Sequence, residues 1–124
     1  MIYLDTSAAA KALLDEDGSA DVRALIAGGA EFVSSRLLAV ELHAVADRRM
    51  LDADAVQELL DRVALVSLDD EIAAQAIAMH SRLRTLDALH LATAVRIEGV
   101  LDSILTFDGE MKVAATAARI PLHG

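Results

Sequence analysis

Short apolar runs alternate along the chain with longer stretches in which apolar residues recur every three or four positions. The runs are typical of buried strands, and the stretches are typical of helices that bury one face. Strands are predicted at 2–5, 31–35, 64–68, 103–107 and 119–122. Helices are predicted at 7–15, 19–28, 36–49, 53–64, 70–83, 86–98 and 109–118, with caps at Asp52 or Asp54, at the acids of 69–71 and at Thr85.

This alternation predicts an α/β fold in which helices cover both faces of a parallel sheet. The length of 124 residues predicts one domain, 1–124. In open parallel sheets, functional groups lie beyond the carboxyl ends of the strands, where the strand order reverses. Asp5 ends the first predicted strand and Asp108 follows the fourth. If these two strands are neighbours, the two carboxylates face each other.

Four acidic residues from four separate segments are embedded in apolar sequence: Asp5, Glu41, Asp87 and Asp108. Three of them also have an ordinary structural interpretation. Asp5 could cap the helix that follows it, although the hydroxyl residues next to it could do so without a charge. Asp87 lies in the first turn of a helix, where the dipole favours acids. Asp108 precedes a glycine, as turn aspartates often do.

Glu41 lies within a helix rather than at its end. It shares one helical face with Leu38 and Leu42, and an unpaired carboxylate on an apolar face is costly. We therefore expect a metal ion or a partner charge beside it, the alternative being an ordinary salt bridge to an arginine. His90 lies three residues after Asp87 and is interpreted as a core histidine rather than a metal ligand.

Carboxylates without cysteine or paired histidines favour a hard cation, so Mg²⁺ or Mn²⁺ fits this set better than Zn²⁺. Two such ions can hold both the attacking and the leaving oxygen of a phosphodiester. Thr6, Ser7 and Thr106 are the hydroxyl residues predicted to hydrogen-bond the ligands. All four acids are accordingly predicted as both catalytic and metal-binding residues.

Composition narrows the classes of partner. The net charge is −9 and the isoelectric point about 4.7, which argues against a protein that binds phosphate backbones through a basic surface. Aromatic residues make up only 2% of the chain, so no base-stacking platform is expected. Hydrophobic residues make up 55% and mean hydropathy is +0.41, which predicts a surface covered by a partner. No apolar run has membrane-spanning length, and the lack of cysteine suits the cytoplasm.

The motifs resemble those of a PIN domain, specifically a VapC-type toxin of a type II toxin–antitoxin system. The matching stretches are YLDTSAAAKALL, SRLLAVEL, RTLDALHLATA and LTFD, and their order and separations match over essentially the whole chain. The resemblance implies a three-layer α/β/α fold with a five-stranded parallel sheet in the order 3-2-1-4-5. It places Asp5, Glu41, Asp87 and Asp108 in one acidic pocket. Some relatives carry a further acid where this chain has Lys112, which leaves Glu110 as the alternative.

The same resemblance implies an endoribonuclease that depends on Mg²⁺ or Mn²⁺ and hydrolyses RNA with an activated water. It also implies a homodimer and inhibition by a cognate antitoxin protein. Two other classes are weighed against it. A phosphoacceptor receiver domain would need a pair of acids after the first strand, where this chain has Asp5 followed by Thr6. A non-catalytic interaction module would need a degenerate pocket, whereas all four acids are present.

Overall fold

The computed structural model describes all residues from 1 to 124. Strands and helices alternate along the chain. In order, the elements are β1 (Ile2–Leu4), α1 (Thr6–Leu13), α2 (Ser19–Ala27), β2 (Phe32–Ser35), α3 (Leu37–Arg49), α4 (Ala53–Leu60), β3 (Val63–Val66), α5 (Asp70–Met79), α6 (Thr85–Arg96), a 3₁₀ turn (Glu98–Val100), β4 (Ser103–Leu105) and α7 (Gly109–Ala117). None of the helices has both the length and the apolar composition needed to cross a membrane.

The four strands form one parallel sheet in the order β3-β2-β1-β4. This order confirms the predicted α/β class and makes β1 and β4 neighbours. It also differs from the 2-1-3-4-5 order of receiver-type folds, in which the first and third strands are adjacent.

The prediction of a fifth full strand at 119–122 was wrong. This segment forms a single parallel bridge between Ile104 and Leu122, at the outer side of β4. The Ile104 N–H donates to the carbonyl of Pro121 at 2.8 Å, and the His123 N–H donates to the carbonyl of Ile104 at 2.9 Å. Pro121 has no N–H of its own, so it cannot extend the ladder. The fifth position of the order 3-2-1-4-5 is therefore occupied by one bridge.

Both faces of the sheet are apolar because side chains alternate between them along each strand. Leu4, Phe32 and Leu105 belong to one buried cluster, which also includes residues of α1, α2, α3 and α4. Tyr3 and Ile104 point to the other cluster, with residues of α6 and α7. Two helical layers thus enclose the sheet, which explains why its strands carry no alternation of apolar and polar residues.

Several helix ends differ from their predicted positions. The α5 helix ends at Met79 rather than 83, because His80 adopts a left-handed backbone with φ of 48°. The Ser81 hydroxyl oxygen then accepts the Leu83 N–H at 3.3 Å, a local bond that competes with helix continuation. The predicted cap at Thr85 was also wrong, since Thr85 is the first residue of α6 and no side chain caps that helix.

Candidate active site

Pairing of β1 with β4 determines where the site lies. Leu4 is in register with Leu105, and the next residue of each strand follows at the same edge of the sheet. The Asp5 N–H donates to the carbonyl of Leu105 at 3.4 Å. Asp5 and Asp108 therefore both lie at the carboxyl edge of the sheet, Asp5 directly after β1 and Asp108 three residues after the end of β4.

Asp5 is almost fully buried, with 3% of its surface exposed. Its Oδ1 accepts the Ala8 N–H at 3.0 Å and the Ser7 hydroxyl at 2.7 Å, and its Oδ2 accepts the Thr106 hydroxyl at 2.5 Å. Burial raises the pKa of Asp5, and these hydrogen bonds oppose the rise. Because each carboxylate oxygen has two lone pairs, Oδ2 retains one that no protein donor uses.

This geometry corrects one part of the sequence argument. The structure makes Asp5 itself the N-cap of α1, so the cap does not fall to a neighbouring hydroxyl residue. Ser7 and Thr106 instead donate to the carboxylate, and their own oxygens lie 3.3 Å apart. Thr6 makes no bond to an acid and lies 3.2 Å from Nε2 of His90.

Asp108 is the N-cap of α7 and is half-buried. Its Oδ1 accepts the N–H groups of Glu110 and Met111 at 2.8 and 3.3 Å. Its own N–H donates to Thr106 Oγ1 at 3.1 Å, which ties it to the hydroxyl that holds Asp5. Oδ2 of Asp108 carries none of these bonds and is free to bind a ligand.

Glu41 projects from α3 toward α6 and is 17% exposed at its side chain. The position of Glu41 on an apolar helix face predicted a metal ion or a partner charge beside it. The structure places the His90 ring there, with Nε2 at 2.6 Å from Glu41 Oε1. His90 is completely buried and fully hydrogen-bonded, as expected of a core histidine. Sequence reasoning missed its contact with Glu41, although His90 lies one turn from Asp87 in a helix that is apolar on most sides.

Asp87 lies in the first turn of α6 and is half-buried. Its pKa is raised, first by burial and then by the negative charges of Asp108, Asp5 and Glu41, while His90 opposes the rise. The four predicted acids therefore lie near enough to interact electrostatically. Glu110 is exposed in the first turn of α7, and Lys112 is exposed on the following turn.

Chemically, the donor set suits a hard divalent cation. In the structure itself, no three side chains among His, Asp and Glu are arranged so that they would hold an ion together. A tight cage is not required, because Mg²⁺ keeps several waters and takes only one or two carboxylates directly. Burial and then the charges of Asp108, Asp5 and Glu41 raise the pKa of Asp87, and a bound cation would offset those charges. Both the oxygen ligands and the clustered negative charge therefore fit a divalent cation.

Comparison with known proteins identifies the family. A family model described as the PIN domain matches residues 2–117. This chain belongs to the PIN-domain family.

Two similar proteins carry the name VapC. Ribonuclease VapC47 of Mycobacterium tuberculosis is 32% identical over 115 residues, which cover 87% of this chain and 85% of that protein. Ribonuclease VapC46 of the same organism is 34% identical over 116 residues, which cover 92% of this chain and 89% of the relative.

A solved structure supports the PIN fold independently. The crystal structure of M. tuberculosis VapC20, a toxin that cleaves the sarcin–ricin loop, matches with a TM-score of 0.72. The match covers 92% of this chain and 95% of VapC20 at 21% sequence identity. At that identity the likeness shows the three-layer α/β/α fold alone.

Proposed function

We propose that this PIN domain is a metal-dependent endoribonuclease toxin of a type II toxin–antitoxin pair. The observation that carries the proposal is the acidic cluster at the β1–β4 edge, in which burial and then the charges of three acids raise the pKa of Asp87. The names of the VapC relatives support ribonuclease activity as the chemistry of that cluster. Such an enzyme acts in the cytoplasm, where cellular RNA is found.

Asp5, Glu41, Asp87 and Asp108 would hold Mg²⁺ or Mn²⁺. When bound, the cation polarises the phosphodiester and lowers the pKa of water. Asp5 is suited to fixed binding because its carboxylate is locked by three hydrogen bonds. Such locking keeps a ligand oxygen in place without a cost in side-chain ordering when the ion arrives.

Asp87 is suited to a different task. No side-chain hydrogen bond restrains its carboxylate, and burial and the neighbouring charges raise its pKa. Because its carboxylate is free to turn, we assign Asp87 the orientation of the water that attacks RNA, in addition to its share in holding the cation. Ser7 and Thr106 contribute by holding Asp5. Thr6 contributes by holding His90.

The proposal includes two protein partners. The cognate antitoxin would supply a cation to the acidic cluster, because arginine stays charged and binds carboxylates through two N–H groups. A second copy of the chain would cover exposed apolar side chains such as Ile77 and Val113, which are 74% and 73% exposed. Both partners agree with the net charge of −9 and the high apolar content of the chain.

The test is RNA cleavage by the purified protein, with Mg²⁺ or Mn²⁺ and with EDTA. We expect cleavage only with the cation, and loss of cleavage in Asp5→Asn, which keeps shape but removes a ligand charge. Asp69→Asn is the matched control, because Asp69 caps α5 by the same type of bond outside the cluster. Wild-type cleavage by Asp5→Asn with Mg²⁺ would refute the site. A folded wild type that cleaves no RNA would instead favour a non-catalytic module.

A further inference from the structure

His90 joins two parts of the molecule through its two ring nitrogens. The residue is 0% exposed and lies in the middle of α6. Its Nδ1 lies 2.7 Å from the Tyr3 hydroxyl, and its Nε2 lies 2.6 Å from Glu41 Oε1. A row of hydrogen bonds therefore runs from β1 through α6 to α3, and it ends on one of the four acids.

The direction of the bond to Glu41 follows from the chemistry of the two groups. An ionised carboxylate can only accept, so the proton between His90 and Glu41 must be on Nε2. This holds whether the ring is neutral or charged, because Nε2 carries a proton in both forms. In the neutral ring, Nδ1 then has a lone pair, and the Tyr3 hydroxyl donates to it. Thr6 Oγ1, 3.2 Å from Nε2, is a further acceptor on the same side.

Tyr3 is held as firmly as the histidine. It is 0% exposed, and its ring meets that of His90 edge-on, with the planes at 81° and the centroids 5.9 Å apart. Two hydroxyl residues on neighbouring elements, Ser34 and Thr93, already donate to the carbonyls of Leu4 and Leu89. The partner within hydrogen-bond distance of the Tyr3 hydroxyl is Nδ1 of His90. Burial strongly raises the pKa of Tyr3, so it stays a phenol that can donate.

We propose that Tyr3 and His90 are positioning residues for Glu41. The Tyr3 hydroxyl holds Nδ1 and with it the orientation of the His90 ring, and the Nε2–H of His90 holds Glu41 Oε1, which leaves Oε2 as the oxygen available to a divalent cation. The inference rests on the proposed metal-binding role of Glu41. A ligand held in this way needs no reorientation when the ion binds, and the loss of such outer partners typically lowers metal affinity by about 10–100-fold.

Two substitutions at His90 test the role. An asparagine amide reaches about as far as Nδ1, and a glutamine amide about as far as Nε2, so only the glutamine can still donate to Glu41. We expect His90→Asn to weaken Mn²⁺ binding by about 10–100-fold in calorimetric titration of the whole chain. His90→Gln should retain most of the affinity. His43→Gln, on the same helix as Glu41 but outside the hydrogen-bond row, is the control and should bind as wild type does.

Nitrogen chemical shifts of His90 give a readout that does not depend on metal. In the metal-free wild type we expect a protonated Nε2 and an unprotonated Nδ1. Tyr3→Phe should leave Nε2 protonated, because Glu41 still accepts its proton, and should move the Nδ1 shift toward that of a nitrogen without a hydrogen-bond donor. Equal Mn²⁺ affinity of folded His90→Asn and His90→Gln would overturn the proposal, as would a protonated Nδ1 with a bare Nε2. A wild type that binds no Mn²⁺ would refute the metal part of the proposed function. The nitrogen shifts would then decide on the Tyr3–His90 pair by themselves.

Discussion

Replacing Asp5 by alanine and by asparagine separates its structural role from its proposed metal role. Alanine removes the N-cap of α1, which costs about 1 kcal/mol. It also removes the acceptor of the Ser7 and Thr106 hydroxyls in a buried site. These hydroxyls lie 3.3 Å apart and can partly pair with each other, so their loss adds about 1–2 kcal/mol. We expect Asp5→Ala to lower the unfolding free energy by about 2–3 kcal/mol.

Asparagine should behave differently. Its Oδ1 keeps the bonds to Ser7 and Ala8, and its amide faces Thr106 Oγ1, whose proton can turn toward Ser7. The buried charge, whose burial raises the pKa of Asp5, is also gone. We expect the unfolding free energy of Asp5→Asn to be no more than about 1 kcal/mol below that of the wild type. Both variants should nevertheless lose cleavage.

The assay is urea denaturation of the metal-free protein at pH 7, followed by thermal melting. Asp69→Ala is the matched control, because it removes an exposed N-cap with the same bonding pattern and should cost about 1 kcal/mol. Asp5→Ala should lower the melting temperature by roughly 6–15 °C. The reasoning is refuted if Asp5→Ala costs no more than Asp69→Ala, or if Asp5→Asn is as unstable as Asp5→Ala.

Three further predictions concern charge and assembly. Burial and neighbouring acids raise the pKa of Asp87 above its ordinary value of 3.8, so metal-free wild type should lose stability relative to Asp87→Asn as pH rises through the raised pKa. Denaturation at several pH values should show this difference in unfolding free energy vanish below the ordinary pKa of 3.8. A difference that does not depend on pH would contradict the prediction. Light scattering should find a dimer in wild type and a monomer in Ile77→Glu, and a strictly monomeric wild type would oppose self-association. Added Mg²⁺ should weaken inhibition by an arginine-bearing antitoxin peptide, as should replacement of that arginine by alanine, whereas inhibition indifferent to both would place the peptide elsewhere.

The fold was largely predictable because two local signals agree. Apolar runs marked all four strands, and polar or glycine-containing breaks marked most helix ends. The fifth strand failed for a reason that periodicity cannot show, since a run containing Pro121 offers too few N–H groups to continue a ladder. The early end of α5 depends on the left-handed backbone of His80, which the apolar pattern of the helix does not reveal.

Sequence patterns could nominate the acids and, in Ser7 and Thr106, the two hydroxyl residues that donate to Asp5, but not the contact of Glu41 with His90. Strand-end placement nominated Asp5 and Asp108, and the structure puts both at one edge of the sheet. The same two residues are also helix caps, so the structural and functional interpretations apply together. The pairing of Tyr3 with His90 depends on packing between β1 and α6, which lie far apart in sequence. Only the three-dimensional arrangement could show it.

The acidic site is closed by the two ends of the chain. Thr106 donates to Asp5 across 101 positions, and β1 completes this edge only when β4 pairs with it. Contacts so distant in sequence form late and slow the folding of a small domain. During synthesis from the amino end, the first hundred residues include Asp5, Glu41 and Asp87 but lack β4 and Asp108. The proposed activity therefore requires β4 and Asp108 to be synthesised and β4 to pair with β1, and the acidic cluster that the antitoxin would bind is completed at the same step.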